Sequence, residues 1–195
     1  MNKKITIITL ILSIVLIIMY YLNSFSVIDN FIFSLLKPIR NDFLTYIFLF
    51  ITEFGYIYGI SLIMIFIFIK NKQLAILELY NIALVVPLNY ILKSIFVRAR
   101  PIENLVSVSG YSFPSGHTMT SVAFYGFLAY YIYKSNNKNK KLYIGLLILT
   151  VFLIGISRIY LRAHFATDVI TGIVMALCYL LIFIRIIYNR KEEYK

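Results

Sequence analysis

The sequence predicts an all-α fold, a polytopic membrane protein built as a bundle of about six transmembrane helices. Three observations carry this. Of the 195 residues, 61% are apolar or aromatic and 14% are charged, whereas soluble domains hold roughly 45–50% apolar and about 25% charged residues. The mean hydropathy is +0.86. Apolar runs able to cross a hydrocarbon layer of about 30 Å, at about 1.5 Å per helical residue, recur along the chain. The length suits one membrane-embedded domain, 1–195, without a second folded lobe.

The runs fall at about 5–22, 43–69, 74–97, 118–133, 142–156 and 167–187. Lys3 and Lys4 precede the first, and Ser24 and Ser26 follow it, a pattern that also fits a secretory signal. Its apolar core exceeds the roughly 7–15 residues of such a signal, which favours a retained span. The stretch 31–40 is too short to cross and is closed by Lys37 and Arg40. It predicts a short helix in the outer interface, ended near Pro38. The second run contains Glu53 beside Phe54 and Gly55; pairing inside the bundle is favoured over contact with a ligand. Pro87 predicts a kink in the third run. The fourth and fifth runs are short and reach toward the polar segments beside them.

A net charge of +11 would point to nucleic acid in a soluble protein. Here the cations lie in small clusters between apolar runs, so no nucleic-acid partner is expected and the clusters set topology. The two termini with alternate loops hold twelve Lys and Arg residues, and the remaining loops hold seven. The richer set is assigned to the cytoplasm, with both termini, and the other loops face outside the cell membrane. With Glu78, Glu192 and Glu193 counted inside, the charge divides into +9 inside and +2 outside. The single cysteine, Cys178, excludes an intramolecular disulfide and a cysteine-based structural zinc site. Tryptophan is absent, so the 17 tyrosines must supply interfacial anchoring.

Three polar clusters fall on the outer side. In the first, Lys93 lies about one turn inside the third run and Arg100 emerges beyond it, with Asn89 one turn deeper on the face of Lys93. Snorkelling cations would account for this cluster taken alone. In the second, Pro114, Ser115, Gly116 and His117 stand where a loop enters the fourth run. Proline favours a first helical turn, whose free N–H groups suit an anion, and Gly116 permits close backbone approach. A plain serine-capped helix start is the bland alternative. In the third, Arg158 precedes His164 and Asp168, which share a helical face if the sixth helix has begun. A purely structural His–Asp pair is the bland account there. The three bland accounts fail together, because one side of the membrane receives both histidines of the chain, a carboxylate, several cations and a helix N-terminus.

A phosphoryl group in transfer carries negative charge on its equatorial oxygens, so it needs positioned cations and N–H donors. Lys93, Arg100, Arg158, Ser115 and the Gly116 N–H are groups of that kind. His117 and His164 can divide nucleophilic attack and proton donation. His117, His164 and Asp168 are equally the ligand types of a metal-binding triad. The surrounding cations would repel a divalent ion, so no metal and no cofactor is expected.

Lys93 to Pro101 (Lys-x6-Arg-Pro), Pro114-Ser115-Gly116-His117, and Ser157-Arg158 with His164 and Asp168 (Ser-Arg-x5-His-x3-Asp) together resemble the three signatures of the type 2 phosphatidic acid phosphatase superfamily, in order and in spacing. Six spans resemble its membrane members. The resemblance implies a metal-independent phosphatase. His164 would attack phosphorus to form a phosphohistidine, Asp168 would hold its imidazole, and His117 would protonate the leaving oxygen. Lys93, Arg100, Ser115, Gly116 and Arg158 would bind the phosphoryl oxygens. Small bacterial members of that family act on undecaprenyl diphosphate, phosphatidylglycerophosphate or phosphatidic acid.

A site at the outer interface favours a lipid phosphate, whose tail stays among the helices. Arg98 and Arg162 lie beside the motifs and are assigned a second phosphate, which leans the reading toward a diphosphate. The rival from another class is a lipid-binding or transport protein, for which midplane charges or an internal repeat would be expected; neither is evident. Transfer of the phosphoryl group to an alcohol instead of water stays open, as does the oligomeric state.

Overall fold

The structure, a computed structural model, describes the backbone of residues 3–193 and the side chains of residues 3–187. Among the described residues every regular element is a helix: α1 (Lys3–Tyr21), α2 (Ser26–Leu36), a 3-10 turn (Lys37–Ile39), α3 (Asp42–Glu53), α4 (Ile57–Lys70), α5 (Lys72–Phe96), α6 (Gly116–Lys134), α7 (Lys140–Tyr160) and α8 (Ala166–Glu193). The side chains of Arg190, Lys191 and Lys195, counted above in the basic tail, lie outside the described residues.

By length and apolar composition α1, α5, α7 and α8 can each cross a membrane, and α3 with α4, bent by 47°, is long and apolar enough for a fifth span when taken as one. The sixth helix, α6, has 19 residues but opens on Gly116, His117, Thr118, Thr120 and Ser121, which dilute its apolar character. It is the central helix, packed by α5, α7 and α8, with Met119, Ala123 and Phe124 fully buried. A helix enclosed by others needs no apolar surface facing lipid all round. The expected six is therefore an approximate count, five by composition plus the enclosed α6.

The second predicted span is not one continuous helix. The Asn41 side chain accepts the Leu44 N–H at 2.9 Å and starts α3, and α3 stops at Glu53. Gly59 then passes so close to the Glu53 carbonyl that a Cβ would lie 2.3 Å from it, an approach only glycine permits. The Tyr125 hydroxyl donates to the Phe54 carbonyl freed by the break, at 2.7 Å. Pro87 does not interrupt α5, which runs as one helix through it. Glu78, counted above as a cytoplasmic charge, is fully buried inside α5, where Asn81 Nδ2 donates to it at 3.1 Å.

A short helix is present here as α2, which starts five residues ahead of the predicted stretch 31–40 and passes into the 3-10 turn at Pro38. It turns Val27, Phe31 and Leu35 outward and buries Asp29, as an amphipathic helix at a lipid surface would. Two aromatic contacts fasten the loop that follows α5: Phe113 is fully buried, stacks on Tyr20 of α1 at 4.8 Å and meets Phe96 edge-on at 4.9 Å. Such pairs contribute roughly 0.5–1.5 kcal/mol each beyond area burial. The loop between α5 and α6 is thereby held over the bundle end where the polar motifs gather.

Candidate active site

The three clusters meet at one end of the bundle, supplied by the last turn of α5 and the loop after it, the first turn of α6, the last turn of α7, the short loop that carries His164 and the first turn of α8. A pocket of about 380 Å³ lies between them, lined by Lys93, Arg100, Gly116, His117, Arg158 and His164, with Thr52 and Glu53 from the end of α3.

Lys93 donates to the carbonyls of Tyr111 at 2.5 Å and Ser112 at 3.1 Å. Arg100 is held by three carbonyls, those of Gly110 at 2.9 Å, Ser109 at 2.8 Å and Ala163 at 2.7 Å, leaving Nη1 3.3 Å from His164 Nε2. Burial lowers the pKa of Arg100, and Asp168 works against that shift; a guanidinium stays charged at neutral pH. Arg158 donates from Nη1 to Thr52 at 2.8 Å. Its Nε is buried without a hydrogen-bond partner, and leaving such a charged donor unmatched is costly unless a ligand oxygen meets it.

His164 is 3% exposed. Its Nδ1 stands 3.4 Å from Asp168 Oδ2, which leaves Nε2 turned to the pocket. Asp168 is held by the Phe165 N–H at 2.9 Å, by Arg98 at 2.5 Å and by the Ser112 hydroxyl. Burial pulls the His164 pKa down to about 4 against the opposing pull of Asp168, so the imidazole is neutral at pH 7 and one ring nitrogen carries a lone pair. His117 stacks face to face on Tyr56, ring centroids 5.1 Å apart.

Two of the predicted site residues stand behind the pocket wall. Asp168 is fully buried beyond His164. Ser115 is fully buried too: its N–H donates to the Asp168 carbonyl at 3.1 Å, and its hydroxyl accepts from Thr118 at 2.9 Å. Gly116 is closely backed by Asn89, whose Oδ1 would lie 2.8 Å from an added Cβ. Asn89 Nδ2 in turn donates to the Pro114 carbonyl at 3.2 Å, so the asparagine one turn below Lys93 braces the second motif.

Arg98 and Arg162 do not face the pocket, which corrects their assignment to a second phosphate. Arg98 bridges Asp29 at 2.7 Å and Asp168 at 2.5 Å. Arg162 pairs with Glu103 at 2.9 Å and lies over the Phe33 ring, 3.3 Å from its centroid. Glu53 lines the pocket from the α3 end, where its charge acts on Arg158. Thr52 and Asp29 have no motif in their sequence neighbourhoods, and Ser112, two residues ahead of Pro114, occupies no defined place in one; only chain folding brings the three to the site.

A second, apolar chamber of about 800 Å³ runs between α4 and α5, lined by Ile60, Met64, Leu79, Val86 and Pro87 among others. Tyr56, Gly116 and His117 line both spaces, so the chamber and the polar pocket adjoin at these residues.

The family pattern described as PAP2 superfamily matches residues 74–192, a range that holds all three clusters. The chain belongs to the PAP2 superfamily. Within that superfamily it is 40% identical over 94 residues to phosphatidylglycerophosphatase B of Bacillus subtilis (strain 168), across 46% of each protein; the aligned stretch thus spans about half the length of that curated relative. The crystal structure of a transmembrane PAP2-type phosphatidylglycerolphosphate phosphatase from Bacillus subtilis superposes with a TM-score of 0.85 at 28% identity, covering 97% of both chains. The crystal structure of Aquifex aeolicus LpxE gives 0.66 at 28% identity, covering 79% of this chain and 93% of that one. The helices of this PAP2 protein follow these relatives' bundle, and the polar clusters at its one end lie within the matched range.

Proposed function

We propose that the protein is a membrane lipid phosphatase that hydrolyses a phosphate ester on a lipid headgroup through a phosphohistidine on His164, without a metal ion. The observation that carries this is the polar pocket ringed by Lys93, Arg100 and Arg158 adjoining an apolar chamber at His117. A lipid tail fits the chamber while its phosphate reaches the cations. Neutral His164 attacks phosphorus through Nε2, Lys93, Arg100, Arg158 and the Gly116 N–H hold the equatorial oxygens, and His117 gives its proton to the departing oxygen. Water then hydrolyses the phosphohistidine. Asp168 orients His164 and meets its developing charge, while Ser115 supports Asp168 and the start of α6 from behind.

The names of the relatives support phosphatidylglycerophosphate as the substrate class, and engagement of Arg98 and Arg162 elsewhere removes the cations that would favour a diphosphate. Undecaprenyl diphosphate is the second reading. A metal reading is weakened by Asp168, both of whose oxygens already have protein partners. Residues from α3 and α5 through α8 supply the one site, which supports treating 1–195 as a single phosphatase unit. The lysine distribution supports an outward-facing site with both termini cytoplasmic. The test is phosphate release by purified protein over a panel of lipid mono- and diphosphates with chelator present. Activity lost with chelator and restored by one metal would overturn the metal-free mechanism.

Two expectations follow from the pocket. The Glu53 carboxylate repels a second phosphate, so Glu53→Gln should raise diphosphate turnover several-fold relative to monophosphate, and an unchanged ratio would remove Glu53 from substrate selection. The second concerns pH. His164 must be unprotonated to attack, and its pKa is about 4, so kcat/KM should hold steady on the acid side down to near pH 4 and fall tenfold per unit below. An acid limb near pH 6.5 would instead mark a histidine that burial has not shifted.

A further inference from the structure

Asp29 lies on α2, ahead of the family match at 74–192. It is 5% exposed on a helix whose Val27 is 77% exposed. Its Oδ1 accepts the Thr167 N–H and hydroxyl, each at 2.9 Å, and its Oδ2 accepts Arg98 Nη2 at 2.7 Å. The other Nη of the same guanidinium lies 2.5 Å from Asp168 Oδ1. The second oxygen of Asp168 faces His164 Nδ1. An unbroken line of contacts therefore runs from the interfacial helix to the imidazole that does the attacking.

The charge balance along this line has a consequence. Arg98 and Asp168 alone form a neutral pair, and a neutral pair does little to hold the positive charge that appears on the His164 ring as Nε2 bonds to phosphorus. Asp29 brings the group to one net negative charge. The Asp29 and Asp168 side chains are 3% and 0% exposed, so water screens these charges poorly.

We propose that Asp29 is a positioning residue for phosphoryl transfer: it holds Arg98 between two carboxylates, so that Asp168 keeps its negative charge for His164. The inference rests on His164 being the nucleophile. The N–P bond forms as the P–O bond to the lipid oxygen breaks, that oxygen takes the proton of His117, and the charge left on the phosphorylated ring is met by an Asp168 that Arg98 alone would have neutralised.

Asp29→Asn removes the charge and keeps the shape. Its kcat should fall about tenfold with KM held within about twofold, because the interaction grows only in the transition state. In Asp29→Asn/Arg98→Gln both charges leave together, and most of the lost kcat should return, although a residue acting through the fold alone would make the double variant worse than the single one. Asp29→Glu retains the charge and should stay within about threefold of wild-type kcat; it and the double variant carry the test should Asp29→Asn fail to elute as folded protein in detergent. Wild-type kcat in Asp29→Asn, a folded double variant below the single one, or an inactive but folded Asp29→Glu overturns the inference while the chemistry of His164 stands. A wild type that releases phosphate from no lipid phosphate overturns the functional reading and the inference together.

Discussion

His164→Ala is expected to lower phosphate release by at least about a thousandfold, the scale on which enzymes lose rate with a covalent nucleophile. The cations that bind the phosphoryl oxygens stay in place, so substrate should still bind and the loss should fall on kcat. His117 cannot substitute, because it stacks on Tyr56 at the junction of the two cavities and lacks the carboxylate that backs His164. Wild-type protein quenched in alkali during turnover should carry phosphate on His164, the linkage being stable there and labile in acid. Phosphate trapped on another residue, or full activity in His164→Ala, would sink the mechanism. Because His164 is buried, detergent elution and Tm must show the variant folded before its rate is read.

Arg98→Met should be the most destabilising single change at this end of the bundle. Asp29 and Asp168 would both stay buried and lose the cation between them, and breaking a buried pair by removing one partner costs about 3–5 kcal/mol. A shift of roughly 10 °C in the Tm of the purified protein corresponds to this cost for a chain of this length. Asp29→Asn should cost less, since Arg98 keeps Asp168. Equal Tm values for wild type and Arg98→Met would mean that the two carboxylates do not need the cation between them, and the charge balance argued for Asp29 would fall.

Much of the site was legible in the sequence because phosphoryl chemistry needs particular residue types. Two histidines and a carboxylate beside Lys93, Arg100 and Arg158 have few other uses at a membrane interface. Arg98 and Arg162 were misjudged for a physical reason: a guanidinium beside a motif looks free until the buried carboxylate it neutralises is known, and Asp29 and Glu103 come from distant or exposed stretches without a pattern. Glu53 reaches the pocket because the span is interrupted: the helix stops at Glu53 and resumes at Ile57, and Gly59 permits the close backbone pass there.

The sequence by itself determined the helical membrane class, the approximate number of spans, the interfacial helix and the three polar clusters, since each depends on local composition, periodicity and spacing. Tertiary structure alone decided that Asp168 and Ser115 stand behind the pocket wall, that α6 is the enclosed helix, and that an apolar chamber between α4 and α5 meets the polar pocket at His117. Those outcomes depend on which helix faces pack together, and residues far apart in the chain meet across such faces without leaving any mark in their own neighbourhoods.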